Sequence, residues 1–309
     1  MTGTHRIRTV SQDALPWLGR AVAAAQPVKL RGLTDGWPAA RWTLDGLAAE
    51  AGDRVVTVMT DLPALGGSLP GGQDRYESRM PFAEFTDLIR SPDRTAPCYL
   101  GYARPEELFR DYDTAFDFTA LTGPGEEPTD TRLWIGSADT CSGLHSDLKD
   151  NIFVQVHGRK RVVLVPFAQT PYVYPFLDNI VNSRVDPENV DRAAFPKFAR
   201  ADVLTTVMEP GDALFIPRGW WHYIRAESAS ISVNHWFGPQ ITAPQFLRLL
   251  VRLGPRYLGR TGADALRYSV LGRTYRRDFF FTPASTGERL YNLIRHGDFS
   301  RENNPSRDS

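Results

Sequence analysis

The spacing of apolar and polar positions divides the chain into a mixed first part, a β-rich middle and a helical end. Before residue 130, this spacing predicts helices over 11–25, 42–51 and 82–90 and strands over 28–31, 54–59 and 98–102. Residues 60–75 are rich in Gly and Pro, which predicts a mobile loop.

The middle of the chain is a series of short apolar runs separated by Gly, Pro and Asp. These runs predict strands at Arg132–Gly136, Asn151–Val156, Arg161–Pro166, Val203–Met208, Ala213–Ile216, His222–Ala226 and Ser230–Phe237. Short, evenly spaced strands are typical of a β-sandwich or barrel. The aromatic-rich interval 168–200 is long for a loop in a compact domain, which favours a functional role.

After residue 240 the pattern becomes helical. The apolar stripe consists of Phe246, Leu247, Leu249, Leu250 and Leu253. It can pack on the β-rich domain, or it can form a homodimer interface. We therefore predict a catalytic domain over 1–240, a helical region over 241–297 and a disordered tail over 298–309.

Composition removes several classes of function. The 309 residues contain 36 Lys+Arg and 36 Asp+Glu, so no strong field favours nucleic acid or an anionic membrane as a partner. The N-terminus has no signal-peptide pattern, and no apolar run is long enough to span a bilayer. Two cysteines, Cys98 and Cys141, do not make a disulfide scaffold, so we expect a cytoplasmic protein.

The strongest candidate chemistry is a metal site. In an extended segment, residues i and i+2 share a face, so His145 and Asp147 converge. His222 follows a strand that Pro217 ends, which places a third donor at the domain's mouth. Two His and one carboxylate form the facial triad of non-haem iron(II) oxygenases. A His-x-Asp sequence alone is common, and this context makes it a candidate.

Lys160 is the second candidate. The sequence predicts a hairpin in which residues 151–156 and 160–166 lie side by side after a turn at Gly158. If Lys160 points inward, its buried charge needs an anionic partner, which a dicarboxylate would supply. The alternative is a solvated lysine in the turn.

At these residues the chain resembles the Jumonji C family, in its cupin-like branch of protein hydroxylases, which includes asparaginyl hydroxylases. The matching motifs are Ser142-Gly143-Leu144-His145-Ser146-Asp147, Asn151-Ile152-Phe153, Gly158-Arg159-Lys160-Arg161, Pro210–Pro217 with Trp220-Trp221-His222, and Ser232–Trp236. The resemblance covers roughly residues 25–240. It implies a mainly β, double-stranded β-helix (jelly-roll, cupin) barrel with flanking N-terminal and C-terminal helices.

The resemblance also implies a role for each matching residue. His145, Asp147 and His222 would bind Fe(II). The residues implied for the cosubstrate 2-oxoglutarate are Lys160, Ser142 and Tyr99 at its distal carboxylate, Asn151 and Asn234 near its metal-bound end, and Trp236 in the pocket lining.

The implied activity is O2-dependent hydroxylation of an unactivated carbon, coupled to conversion of 2-oxoglutarate to succinate and carbon dioxide. A peptide or protein side chain is the first substrate expected, and a small-molecule or natural-product intermediate is the alternative. Lysine demethylation is less favoured, because many family demethylases carry Glu where this chain has Asp147. A non-catalytic metal-binding cupin is the alternative from another class. The loops 60–75 and 168–200 are candidates for a substrate cover.

Overall fold

The strands assemble into two β-sheets in a computed structural model of the protein, which describes residues 4–11, 14–63, 69, 72–110, 112–122, 129–275 and 284–299. Within these ranges, the fourteen strands are β1 (Thr4–Arg6), β2 (Thr9–Val10), β3 (Val28–Leu30), β4 (Val55–Met59), β5 (Glu77–Pro81), β6 (Tyr99–Ala103), β7 (Asp130–Gly136), β8 (His145–Ser146), β9 (Asp150–His157), β10 (Lys160–Val165), β11 (Val203–Met208), β12 (Ala213–Ile216), β13 (Trp221–Ala226) and β14 (Ser230–Phe237).

The two sheets face each other. One has nine strands in the order β2-β3-β12-β9-β14-β7-β6-β4-β5, and the other has five in the order β1-β11-β10-β13-β8. Phe153 and Leu214 from the first sheet pack against Val162 and Leu164 from the second. The jelly-roll prediction is confirmed, although among the described strands the two sheets are hydrogen-bonded separately and do not close into one barrel.

The predicted hairpin before Lys160 is wrong. β9 pairs with β12 and β14, whereas β10 pairs with β11 and β13, so the chain crosses from one sheet to the other between them. Gly158 makes this crossing with φ +71°, and a Cβ there would lie 2.0 Å from the Ala229 carbonyl oxygen. The two strands lie in facing sheets. Phe153 points inward from one sheet and Lys160 points inward from the other.

Helices before residue 123 pack on the outer face of the nine-stranded sheet, and three more described helices follow β14 along the chain. They are α1 (Ala14–Ala24), α2 (Leu44–Ala51), α3 (Phe82–Arg90), α4 (Pro105–Leu108), α5 (Tyr112–Ala115), α6 (Thr119–Thr122), α7 (Ala243–Leu253), α8 (Pro255–Asp264) and α9 (Thr286–His296). Leu18 on α1, Leu47 on α2 and Phe85 on α3 belong to the core that Ile152 and Val233 form on this sheet. No helix in the described ranges is long and apolar enough to cross a membrane.

The interval 168–200 is packed rather than open. Val173, Val185 and Phe198 are buried against Trp221 and Tyr223 of the five-stranded sheet. Within it, Asn182 forms a β-bridge with His145. This interval therefore lies along the edge that carries the first candidate metal ligand.

The apolar stripe after residue 240 divides between two environments. Phe246 and Leu250 are buried with Ile180 and Leu293, whereas Leu247 is exposed. Residue 299, at the start of the predicted tail, is a Phe whose ring lies 5.1 Å from that of Phe246. Residues 300–309 lie outside the described part of the chain, as do 64–68 and 70–71 of the predicted 60–75 loop.

Candidate metal centre and cosubstrate pocket

The three predicted metal ligands lie together at the edge of the five-stranded sheet. β8 pairs with β13 so that His145 is directly opposite His222, and Asp147 follows on the same face as His145. The Nε2 atoms of His145 and His222 lie 4.0 Å and 3.5 Å from oxygens of the Asp147 carboxylate. One ligand atom from each residue falls within a 4.8 Å group, which is the spacing that a single bound ion requires.

Backbone carbonyls orient both imidazoles. The Nδ1 of His145 lies 3.0 Å from the Gly143 oxygen, and the Nδ1 of His222 lies 3.1 Å from the Trp220 oxygen. A carbonyl can only accept, so each Nδ1 carries the proton and each Nε2 keeps its lone pair. Such outer hydrogen bonds fix the tautomer of metal-binding histidines.

The carboxylate of Asp147 is held by two donors on one oxygen. The indole Nε1 of Trp236 donates to Oδ2 at 2.7 Å, and the amide Nδ2 of Asn151 donates to Oδ2 at 3.1 Å. Asn234 in turn donates to the Oδ1 of Asn151 at 3.0 Å. This network leaves the Oδ1 of Asp147 facing His145. Trp236, Asn151 and Asn234 therefore position a metal ligand.

A tight turn ties the two ligand segments together. Gly219 N donates to the Asp147 carbonyl at 2.7 Å, and the Ser146 hydroxyl donates to the Gly219 carbonyl at 3.1 Å. Gly219 has φ +82°, and a Cβ there would lie 2.7 Å from the ring of Phe167. Only glycine fits this turn, which delivers His222 to the site three residues later.

Burial and neighbouring groups determine the charge states of His222 and Asp147. Burial lowers the pKa of His222 well below its usual value, so this imidazole is neutral near pH 7. For Asp147, burial acts to raise the pKa, but His222, His145 and the donors Trp236 and Asn151 outweigh it and the pKa is lowered. Neutral imidazole and ionised carboxylate are the forms that bind a divalent cation.

Lys160 points into the space between the sheets. Its Nζ donates to the Ser232 hydroxyl at 2.7 Å and lies 5.7 Å from the ring centres of Tyr99 and Phe153. The side chain is 2% exposed, and within the described part of the chain no carboxylate comes within ion-pair distance. Burial lowers the pKa of Lys160 to about 7. A buried cation without a counter-ion marks a binding site for an anion.

Tyr99 and Ser142 occupy different surroundings. Tyr99 is buried beside Lys160, its ring lies 5.8 Å from that of Trp134, and burial raises the pKa of its phenol. Ser142 lies at the edge of the five-stranded sheet, where its hydroxyl donates to the Ile224 carbonyl at 3.5 Å. The hydroxyl that contacts Lys160 belongs to Ser232 instead.

Sequence reasoning assigned no role to Ser232 or Gly219. Ser232 could have been found by alternation, because it shares a face of β14 with Asn234 and Trp236. No local signal identifies Gly219, since its constraint is the ring of Phe167, 52 positions earlier in the chain.

Comparison with known proteins identifies the class. The cupin-like domain family matches residues 16–243, and the chain therefore belongs to that family. Lysine-specific demethylase 8 of Xenopus tropicalis is 32% identical over 228 residues, covering 69% of this chain and 48% of the relative. The Jumonji C domain-containing protein 5 of Drosophila melanogaster is 30% identical over 233 residues, covering 69% and 55%.

A third relative carries a different name. HSPB1-associated protein 1 homolog of Danio rerio is 27% identical over 237 residues, covering 68% of this chain and 51% of the relative. The chain spans about half the length of the curated relatives it matches. The resemblance to the Jumonji C and cupin-like class is thus confirmed, and members of this class are iron(II)- and 2-oxoglutarate-dependent oxygenases.

The residues present fit both groups. The triad supplies two imidazole nitrogens and one carboxylate, a donor set suited to ferrous iron. Lys160 supplies an unneutralised cation where the distal carboxylate of a dicarboxylate can be bound.

Proposed function

We propose that the protein is an iron(II)- and 2-oxoglutarate-dependent oxygenase in which His145, Asp147 and His222 hold the iron. The observation that carries the proposal is the combination of a three-donor group with a buried lysine that has no described counter-ion. Either feature alone has a simpler explanation. Together they match the two ends of one cosubstrate, a keto-acid for the metal and a carboxylate for the lysine.

Different residues of the chain bind the cosubstrate and position the candidate metal ligands. Lys160 and Ser232 bind the distal carboxylate, with Tyr99 closing the same end of the pocket. Asn151 and Trp236 keep Asp147 ionised and oriented. Ser142 is proposed at the rim of the distal end, where its hydroxyl can turn from Ile224 toward the cosubstrate. When iron, 2-oxoglutarate and O2 are bound, they supply the oxidising chemistry, and the protein positions substrate and limits water.

We propose hydroxylation of an unactivated carbon as the reaction, with a peptide or protein side chain as substrate and a small-molecule intermediate as the alternative. The name of one relative, lysine-specific demethylase 8 of Xenopus tropicalis, supports a second candidate. Both reactions begin with hydroxylation of a C–H bond. In demethylation this carbon is the N-methyl carbon, which then leaves as formaldehyde, so the same site can serve either reaction. The test is incubation with methylated and unmethylated lysine peptides, followed by mass measurement. Demethylation removes one methylene, a loss of about 14 Da, and hydroxylation adds one oxygen, a gain of about 16 Da.

The competing class is a cupin that binds metal without catalysis. It predicts that the triad takes up iron but that Lys160 has no ligand. The test is anaerobic addition of iron(II) and 2-oxoglutarate to the purified protein, followed by visible spectroscopy. A weak charge-transfer band of a metal-bound keto-acid supports the oxygenase. Iron uptake without the band supports the silent cupin, and the Asp147→Ala variant, which should lose the band, is the control.

The remaining expectations concern the surroundings of the enzyme. We propose a cytoplasmic location, which keeps iron ferrous and agrees with the buried, free thiols of Cys98 and Cys141. We also propose that the segment 168–200 covers the substrate, whereas residues 64–68 and 70–71 of the segment 60–75 lie outside the described part of the chain. The domain division at residue 240 and a homodimer through the C-terminal helices stay predictions. Leu247 and Val251, exposed on α7, are the surface that such a dimer would use.

A further inference from the structure

Arg289 lies on α9, outside the residues that match the cupin-like family, yet its helix begins beside the segment that pairs with the candidate metal-ligand strand. A capping box fixes this beginning, because Ser285 Oγ accepts from Glu288 N at 3.2 Å and Glu288 Oε2 accepts from Ser285 N at 2.8 Å. The position of the helix start, and of Arg289 one turn later, is therefore determined by local hydrogen bonds.

Two further hydrogen bonds attach α9 to the segment that pairs with the metal-ligand strand. Thr286 N donates to the Asp178 carbonyl at 2.8 Å, and Ile180 N donates to the Thr286 hydroxyl at 2.9 Å. The next residues of that segment pair with β8, where Ser146 N donates to the Val181 carbonyl at 2.9 Å. The turn at residues 178–182 thus links the first turn of α9 to His145.

The guanidinium of Arg289 is half-buried and has donors to spare. Its Nε donates to the Ala284 carbonyl at 3.3 Å, and among the described residues no carboxylate lies within ion-pair distance of it. Arg132 on β7 differs: it forms an ion pair with Asp130 at 2.9 Å and lies over the Tyr102 ring at 4.4 Å. Among the described residues, the Nη groups of Arg289 have no hydrogen-bond or ion-pair partner, so they can bind a ligand.

The charge of Asp147 acts on the Arg289 guanidinium. Burial lowers the pKa of Arg289, and Tyr275, Asp147, Glu288 and Tyr102 act in the opposite direction. Asp147 is a triad member, and the Tyr102 ring lies 6.0 Å from that of Trp236, the residue that donates to Asp147. The guanidinium stays charged at neutral pH in these surroundings.

We propose that Arg289 binds a carboxylate of the substrate that is oxidised, and hence that this substrate is an acid. The inference rests on the proposed function, in which Lys160 and the metal already account for both ends of 2-oxoglutarate. A planar guanidinium with free Nη groups pairs with a carboxylate through two parallel hydrogen bonds, which fixes both position and orientation. The substrate carboxylate then lies close to the carbon presented to the metal.

Two sources can supply this carboxylate, an acidic side chain in a peptide and a free organic acid. The matched probes are N-acetyl-aspartate methylamide with N-acetyl-asparagine methylamide, and butyrate with butyramide. Within each pair the shape is nearly constant and the charge changes. Saturation transfer from the full-length protein reports binding of each probe, and line broadening by Mn(II) added to the same sample reports its proximity to the triad.

The variants are Arg289→Gln, Arg289→Lys and, as the control on the same helix, Arg295→Gln, whose side chain is exposed. Wild type should bind one or both carboxylates at least about tenfold more tightly than the matched amide. Arg289→Gln should remove this difference, Arg289→Lys should keep part of it, and Arg295→Gln should leave it unchanged. Preference for the aspartyl probe assigns a peptide substrate, and preference for butyrate assigns a small acid.

Equal binding of acid and amide by the wild-type protein overturns the proposal. This measurement does not depend on whether any variant folds. Unchanged preference in Arg289→Gln, with normal circular dichroism, also overturns it. A raised 2-oxoglutarate requirement in Arg289→Gln would assign the residue to the cosubstrate instead. Failure of the proposed function is separate, because it shows as a missing charge-transfer band in wild type, while saturation transfer still reports the carboxylate preference.

Discussion

The ammonium nitrogen of Lys160 lies 2.7 Å from the hydroxyl oxygen of Ser232, and the two residues come from opposite sheets. The hydroxyl satisfies one of the three N–H donors and supplies no negative charge. Under the proposed function this nitrogen binds an anion, and we expect the affinity for 2-oxoglutarate to depend on this pair.

Loss of the ammonium group should weaken cosubstrate binding most. Lys160→Ala is expected to raise the 2-oxoglutarate requirement at least about tenfold, because it removes a charge-assisted hydrogen bond in a buried site. Ser232→Ala should raise it by about threefold, since only a neutral partner is lost. Titration of the anaerobic charge-transfer band measures both, with exposed Lys197→Ala as the control. An unaffected titration in Lys160→Ala would mean that the carboxylate binds elsewhere.

Cosubstrate affinity should fall as the pH rises above about 7. Burial lowers the pKa of Lys160 to about 7 in the ligand-free protein, so above this pH the lysine is neutral before binding. The dicarboxylate binds the protonated form, so binding takes up a proton and affinity decreases by up to about tenfold per pH unit. Calorimetry in buffers of different ionisation enthalpy measures the uptake. Proton release on binding would contradict this assignment. An affinity that stays constant from about pH 7 to about pH 9 would also contradict it.

The indole of Trp236 should contribute to metal affinity without touching the metal. Trp236→Phe removes the 2.7 Å hydrogen bond to the Asp147 carboxylate and retains most of the ring. Loss of such an outer donor is expected to weaken iron binding by about tenfold or more. Competition with a chelator measures the change, and Trp17→Phe on α1 is the control. Equal metal affinities in the two variants would show that Asp147 does not need this donor.

A buried ion pair outside the site should govern stability. Lys29 Nζ lies 2.6 Å from Asp212 Oδ2, and the two side chains are 3% and 5% exposed. Asp212→Ala leaves the Lys29 charge buried and should lower the free energy of unfolding by about 3–5 kcal/mol. The exposed pair of Arg90 and Asp87 is the comparison, and Asp87→Ala should cost no more than about 1 kcal/mol. Similar urea midpoints for both variants would refute the distinction.

The exposed apolar face of α7 should determine oligomeric state. Val251 is 64% exposed and Leu247 39%, whereas Phe246 and Leu250 on the adjoining face are buried. If this face forms the homodimer, Val251→Glu introduces like charges across the two-fold axis and should yield a monomer in light scattering. Leu15→Glu, at a 46% exposed position on α1, should leave the mass unchanged. A monomeric wild type would remove the dimer proposal.

Local sequence was sufficient to predict the direction of a side chain where that direction follows from alternation along its own strand. His145 and Asp147 converge because they are two residues apart in an extended segment, and Asn234 and Trp236 share a face of β14 for the same reason. Predicted strands at Val203–Met208, Ala213–Ile216 and Ser230–Phe237 match the observed bounds, since alternation and flanking turn residues are both local.

Tertiary structure decided which strands face each other, because strand partners depend on packing between distant segments. Residues 151–166 suggested a hairpin, yet β9 and β10 lie in different sheets, and this crossing is what buries Lys160 opposite Ser232. The position of Arg289 likewise follows from hydrogen bonds between α9 and residues near 180. The sequence determined the chemical types available to this protein, and long-range packing decided which of them meet, because each such contact joins segments that have no local signal in common.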